Sequence, residues 1–106
     1  MKDYNRAVIL GDIYGNLLTK KQYDIFTLYY NDDCSLFEIS EKMQISRQAA
    51  HDIIKRTMKT LEKYEDALKI YSKLLENREN KAKIEKLIHE NKHDEAINLL
   101  NKIVEN

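Results

Sequence analysis

Two helix-start signals close together constrain the fold of this chain more than any other feature. Ser35 is followed three residues later by Glu38, the spacing of a capping box: the hydroxyl accepts a free N–H of the first turn, and the carboxylate accepts the N–H of Ser35. Ser46 repeats the start signal. Two successive short helices with facing apolar stripes predict a helix-turn-helix. The first stripe and the turn consist of Leu36, Ile39, Met43 and Ile45.

The second helix has an inner and an outer face. Ala50, Ile53 and Thr57 continue the apolar side at helical spacing, and the small Ala50 allows close approach of the two helices. A helical hairpin in a bundle would need the same caps and stripes. The outer face favours DNA reading, because polar side chains stand where such a motif meets the major groove. We predict base contacts from Arg47, Gln48 and His51 and phosphate contacts from Lys55 and Arg56.

The composition predicts an all-α fold. The 106 residues include no proline and two glycines, and apolar residues recur with a period near that of a helix. This length suits one small domain with an appendage. We therefore expect a DNA-binding bundle of three to four helices with a C-terminal helical extension.

Charge is balanced overall but unevenly placed. Lys+Arg and Asp+Glu each number 18, so no net positive field draws the chain to nucleic acid. Between residues 46 and 63, however, the sequence contains five basic residues and only two acidic ones. This local excess fits a reading helix, although a solvated helix face is the common alternative. The basic residues are Arg47, Lys55, Arg56, Lys59 and Lys63, and the acidic ones are Asp52 and Glu62.

Two further helices precede the motif. The first is predicted to start after Asp3 and end near Gly15, with Gly11 marking close packing. Thr19 and Gln22 form a second capping box that opens the next helix. Its aromatic cluster could stack single-stranded nucleic acid, but this spacing is more typical of a core. The cluster is Tyr23, Phe26, Tyr29 and Tyr30.

Beyond the motif, apolar residues recur every seven positions and predict a continuous stripe. We expect a second subunit to cover it, so that residues 1–60 form the DNA-binding domain and residues 61–106 an oligomerising extension. Covering by the chain's own C-terminal helices, with Ile97, Leu100 and Ile103, is the alternative. The predicted dimerisation residues are Ile54, Leu61, Tyr64, Leu68, Tyr71 and Leu75.

The tail is predicted to form two amphipathic helices separated by polar residues 91–94. His89 and His93 have a spacing that can bind zinc on a continuous helix, but a surface pair across this break is the preferred interpretation. We expect no metal or cofactor.

Other classes of protein find little support in the sequence. No glycine-rich phosphate loop or nucleophile elbow occurs, so we expect a non-enzyme. Cys34 is the single cysteine, which favours a reducing compartment. The first residues lack the apolar core of a signal peptide, and no run reaches membrane-spanning length. We expect a cytoplasmic protein that does not bind membranes.

Taken together, several segments resemble one family. The chain is similar to the YlxM-like helix-turn-helix proteins of bacteria from about residue 6 to residue 78. The resemblance implies a DNA-binding-type protein related to region four of primary sigma factors. It also implies that this protein takes part in, or regulates, the signal recognition particle pathway. It also leaves open an interaction protein that binds the RNA or protein of that particle directly. The matching segments are residues 17–22, 28–30, 35–40, 46–49, 52–57 and 61–65.

The same resemblance adds Ser46 and Asp52 to the groove-facing residues Arg47, Gln48 and His51. Two positions depart from the sigma-factor pattern. Ala49 stands at an often basic position, and Asp52 puts a negative charge near phosphate or base acceptors. Both departures lower the DNA affinity that we expect from one copy of the helix-turn-helix, because phosphate neutralisation supplies most non-specific binding.

Overall fold

The computed structural model describes residues 4–105, and within that range it contains only helices, turns and loops. This confirms the all-α fold. A short 3-10 turn, Gly15–Leu17, follows the first helix. The helices are α1 (Tyr4–Tyr14), α2 (Lys20–Tyr30), α3 (Leu36–Met43), α4 (Arg47–Leu68), α5 (Ile70–His89) and α6 (His93–Glu105).

The predicted start signals begin three of these helices. The Ser35 hydroxyl accepts the N–H of Glu38 at 3.0 Å, and the Glu38 carboxylate accepts the N–H of Ser35 at 3.0 Å. Thr19 and Gln22 make the equivalent pair at the start of α2. At α4 the Ser46 hydroxyl accepts the N–H of Ala49 at 3.0 Å. The two capping boxes are therefore confirmed, and each satisfies backbone donors that a helix start leaves free.

Three helix ends use left-handed residues other than glycine. Gln44, Lys69 and Asn91 have φ values of 53°, 55° and 58°, and they follow α3, α4 and α5. The Asn91 break confirms the predicted interruption between the two tail helices. A left-handed residue with a Cβ costs roughly 1–2 kcal/mol, so packing around these turns must compensate that strain.

Helices α1 to α4 pack around two apolar clusters. The first cluster joins α1, α2 and α4, and Gly11 lies close to it: a Cβ there would approach Phe26 Cε1 to 3.1 Å. This explains why a glycine is placed inside a helix. The second cluster joins α2, α3 and α4. The buried residues of the first cluster are Ala7, Leu10, Tyr14, Phe26 and Leu61. Those of the second cluster are Ile25, Cys34, Ile39, Ala50 and Ile54.

The inner face of the motif is largely as predicted. Ile39, Ala50 and Thr57 are fully buried. Ile53 is only half-buried, and its neighbour Ile54 is buried at 6% exposure. The prediction that Ile53 is buried with Ala50 and Thr57 is therefore wrong by one residue. The buried residue is Ile54, which lies four residues after Ala50 on the same helix face.

The predicted continuous stripe is wrong, because α4 ends at Leu68 and α5 begins at Ile70. Leu61 and Ile54 belong to the apolar core, whereas Leu68 and Leu75 are 53% and 42% exposed. Tyr64 and Tyr71 are half-buried against the first cluster. Helices of the same chain therefore cover one part of the stripe, and the self-association of its exposed part stays a prediction.

A buried polar network stabilises the break between α4 and α5. Glu65 is 6% exposed, and its carboxylate accepts the Tyr14 hydroxyl at 2.6 Å and the N–H of Tyr71 at 3.0 Å. The Tyr14 oxygen accepts the N–H of Ile70 at 3.2 Å. Two backbone donors at the start of α5 thereby find partners in the polypeptide. Apolar periodicity carries no sign of this network.

The chain divides into two compact units, Met1–Tyr71 (unit 1) and Ser72–Asn106 (unit 2). The division falls later than residue 60, where the sequence suggested a boundary, because Tyr71 still packs on the first cluster. Within the described part of unit 2, Ala96 is the one buried apolar side chain. Among residues 4–105, no helix combines the length and apolar character needed to cross a membrane.

Candidate nucleic-acid interface

The turn between α3 and α4 fixes where the second helix of the motif begins. Gln44 ends α3 in the left-handed conformation, and Ile45 packs on the second apolar cluster. Ser46 then caps α4 and satisfies one N–H of its first turn. An anchored turn followed by a capped helix holds the N-terminal side chains of α4 in a defined register.

All seven predicted DNA-binding residues are exposed on α4 or at its cap. Ala50, Ile54 and Thr57 lie on the buried side of this helix. Since side chains four residues apart share a helix face, the exposed residues form one polar surface away from the core. We call it the reading surface: Ser46, Arg47, Gln48, His51, Asp52, Lys55 and Arg56.

Arg47 is positioned by an aromatic ring that the sequence analysis missed. Its guanidinium carbon lies 4.8 Å from the centroid of Phe37, and Phe37 is 50% exposed. A cation–π contact at an exposed site contributes roughly 0.5–1 kcal/mol, which biases the side chain without fixing it. The available signal was that Phe37 lies outside the apolar stripe of α3, so that a core role did not account for it.

Asp52 is engaged by its own neighbours on α4. Gln48 Nε2 donates to Asp52 Oδ1 at 2.9 Å, and His51 Nδ1 lies 3.6 Å from the same oxygen. The carboxylate therefore orients Gln48 and, when His51 is protonated, also pairs with that charge. Since an exposed hydrogen bond contributes little net energy, Gln48 can exchange this partner for a base edge at small cost.

Lys55 and Arg56 lie in different depressions of unit 1. Arg56 lines a small cavity of about 270 Å³ together with Lys21 and the N-cap residue Thr19 of α2. Lys55 lines a larger groove of about 680 Å³ between α2, α3 and α4. The two residues, which the sequence grouped as phosphate contacts, therefore stand at two separate edges of the reading surface.

The two histidines considered for zinc binding lie at a helix end and a helix start. His89 is the last residue of α5 and His93 the first of α6, with the predicted break between them. In the described range, no group of three or more His, Cys, Asp or Glu side chains could hold a metal ion.

Comparison with known proteins identifies the family. A family described as "Putative helix-turn-helix protein, YlxM / p13 like" matches residues 1–103. Proteins called UPF0122 protein are similar over part of the chain. That of Pediococcus pentosaceus is 58% identical over 64 residues (60% of this chain, 57% of the relative). That of Clostridium kluyveri is 54% identical over 68 residues (64% and 61%), and that of Desulforamulus reducens is 46% identical over 68 residues (64% and 58%).

The matched segment thus spans a little over half the length of these curated relatives. The family match, by contrast, covers nearly the whole chain and agrees with the resemblance noted from its motifs. This chain belongs to the UPF0122 family of YlxM- and p13-like helix-turn-helix proteins.

Proposed function

We propose that unit 1 is a DNA-binding head that reads the major groove with the N-terminal half of α4. The observation that carries this proposal is the separation of faces on α4: Ala50, Ile54 and Thr57 are buried, while Arg47 and Gln48 are exposed at the capped start of the helix. Arginine and glutamine are suited to the paired acceptors and donors of guanine and adenine edges.

The phosphate contacts come from the edges of the reading surface. Arg56 and Lys21 line one cavity, and Lys55 lines a separate groove. With so few basic residues and the negative charge of Asp52 among them, affinity for a single site is modest. It falls with salt in proportion to the few phosphates that these residues neutralise.

A second subunit would raise that affinity. Leu68 in unit 1 and Leu75 in unit 2 are each exposed, and their exposure supports the prediction of a homodimer. Two tethered heads bind with a high effective concentration for the second contact. A regulatory role linked to the signal recognition particle rests on the family resemblance, and its rival is direct binding of that particle's RNA or protein.

A salt-dependent gel shift tests the proposal. The full chain is titrated against duplex DNA from upstream of its own gene and against the particle's RNA, at low and moderate salt. Arg47→Ala with Gln48→Ala should remove sequence preference, whereas Lys55→Ala should weaken all sequences alike and flatten the salt slope. Arg78→Ala, which removes one exposed charge from unit 2, is the matched control. Absence of duplex binding at low salt contradicts the proposal.

A further inference from the structure

The groove beside Lys55 has a composition that DNA reading does not explain. It has a volume of about 680 Å³, within the range of binding cavities, and it is lined by α2, the start of α3 and α4. Much of its lining is apolar, although it opens to solvent beside the reading surface. The apolar lining consists of Tyr29, Tyr30, Leu36, Ile54 and Met58.

One wall of the groove carries a row of lysines. Lys55, Lys59 and Lys63 follow each other at intervals of four residues, so the ammonium groups stand about one helical turn apart. In the described range, none of the three makes an ion pair. Exposed ammonium groups beside an apolar lining attract a ligand that has both apolar and acidic groups.

The acidic residues of the groove are unequal. Glu62 accepts from Arg6 Nε at 2.6 Å and from Arg6 Nη2 at 2.9 Å, so a guanidinium already neutralises it. Asp66 stands at the end of the groove, one turn beyond Glu62. The wall therefore has a net positive charge, centred on the lysine row.

Single-stranded nucleic acid fits this groove poorly. The ring of Tyr30 packs on Phe26, Tyr29 and Tyr4, with centroids 4.7, 5.0 and 5.7 Å away. A base-stacking platform needs a free aromatic face. Phe26, Tyr29 and Tyr30 of α2 thus pack against one another in unit 1.

The length of the groove suits a helix. The residues of α4 that line it run from His51 to Asp66, about 22 Å along the helix at 1.5 Å per residue. We propose that this groove binds an amphipathic helix of a partner protein, with its apolar side chains against Tyr29 and Met58 and an acidic flank along Lys55, Lys59 and Lys63. This is recognition of a helix in a groove, with charge setting its orientation.

The position of the groove makes the partner helix a competitor of DNA. His51 and Lys55 line the groove and also belong to the reading surface. A helix lying there would occupy these two side chains and introduce acidic groups near the approaching phosphates. This competition rests on the proposed DNA binding, whereas the binding of the helix does not.

Titration of the full chain with two synthetic helical peptides tests the groove. The first peptide has leucines at positions i, i+3 and i+7 and glutamates on one flank, and the second has lysines in place of those glutamates. Calorimetry should show tighter binding of the acidic peptide. Lys59→Glu with Lys63→Glu should weaken it by at least about tenfold, since two attractive contacts become repulsive. The matched control, Lys83→Glu with Lys86→Glu in unit 2, should change it less than about twofold.

Met58→Glu, with its fold checked by circular dichroism, should also weaken peptide binding. Equal affinity for the two peptides, or no effect of the lysine-row variant, overturns the proposal. Binding of a uridine oligonucleotide that depends on Lys59 and Lys63, without peptide binding, overturns it as well. If the acidic peptide binds but duplex DNA never does, the proposed DNA function fails and the groove stands. If both bind together, the competition is wrong.

Discussion

Units 1 and 2 are both built from amphipathic helices, but they bury very different amounts of apolar surface. Unit 1 buries ten apolar side chains in two clusters around α4, whereas the described part of unit 2 buries Ala96 alone. Ile97 and Leu100 on α6 remain about half exposed. The comparison indicates that the apolar core of the protein lies in unit 1 and that unit 2 leaves most of its apolar side chains exposed.

The largest expected effect is a loss of stability from truncating the core of unit 1. Leu61→Ala or Ile39→Ala should lower the free energy of unfolding by roughly 2–5 kcal/mol, because both side chains are fully buried. Leu100→Ala, 46% exposed in unit 2, should change it by less than about 0.5 kcal/mol. Chemical denaturation followed by circular dichroism measures both. Equal effects would remove the distinction between the units.

The polar network at the end of α4 should have the next largest effect. Tyr14→Phe leaves Glu65 and the N–H of Ile70 without that partner and should cost roughly 1–3 kcal/mol. Tyr14→Phe should speed up amide exchange at Ile70 relative to the parent protein. Exchange in the middle of α4 should change less. Unchanged exchange at Ile70 would show that the network does not hold the start of α5.

The same tyrosine should give unit 1 a measurable pH dependence. Burial, followed by the hydrogen bond to Glu65, raises the pKa of Tyr14 above its usual value of about 10. The unfolded chain ionises first, so this stability is complete below about pH 10 and is lost as the pH rises through the folded pKa. Denaturation at pH 8 and pH 11 should show a smaller loss for Tyr14→Phe than for the parent. Identical losses contradict the assignment.

The exposed leucines on the two sides of the break between α4 and α5 offer a test of self-association. Leu68→Glu with Leu75→Glu should leave unit 1 folded and weaken a dimer at least about tenfold, or about 1.4 kcal/mol. Leu61→Glu is unsuitable, because that residue lies in the core. Sedimentation of the parent and the variant at micromolar concentration gives the comparison. A parent protein that is already monomeric would rule out the dimer.

A single buried hydroxyl gives the smallest stability effect. Thr57 is fully buried, and within the described residues its Oγ1 has no hydrogen-bond partner. Thr57→Val keeps the shape and removes the unsatisfied group, so it should stabilise unit 1 by roughly 1 kcal/mol. A thermal melt detects the change, and Thr60→Val, on the same helix with its hydroxyl bonded to the Arg56 carbonyl, is the control. Destabilisation by Thr57→Val would show that the hydroxyl has a role.

Local signals made the fold of unit 1 predictable. Ser35, Thr19 and Ser46 specify helix starts through bonds within four residues, and such bonds are visible in the sequence. Periodicity found the buried face of the motif to within one position, at Ile54. It failed at Lys69, because Glu65 and the start of α5 are bonded there by Tyr14, which is more than fifty residues away in sequence. The groove and the Phe37–Arg47 contact also form only when separate helices pack together.

We propose that the exposed face of α4 reads DNA, while its buried face holds unit 1 together. The most direct measurement is duplex binding by the full chain, as a function of salt, for the parent and for Arg47→Ala with Gln48→Ala. We predict salt-dependent binding by both proteins and sequence preference in the parent alone. The free energies of unfolding of the two proteins should agree within about 0.5 kcal/mol. Failure of the parent to bind any duplex at low salt, or unchanged sequence preference in the variant, would contradict the claim.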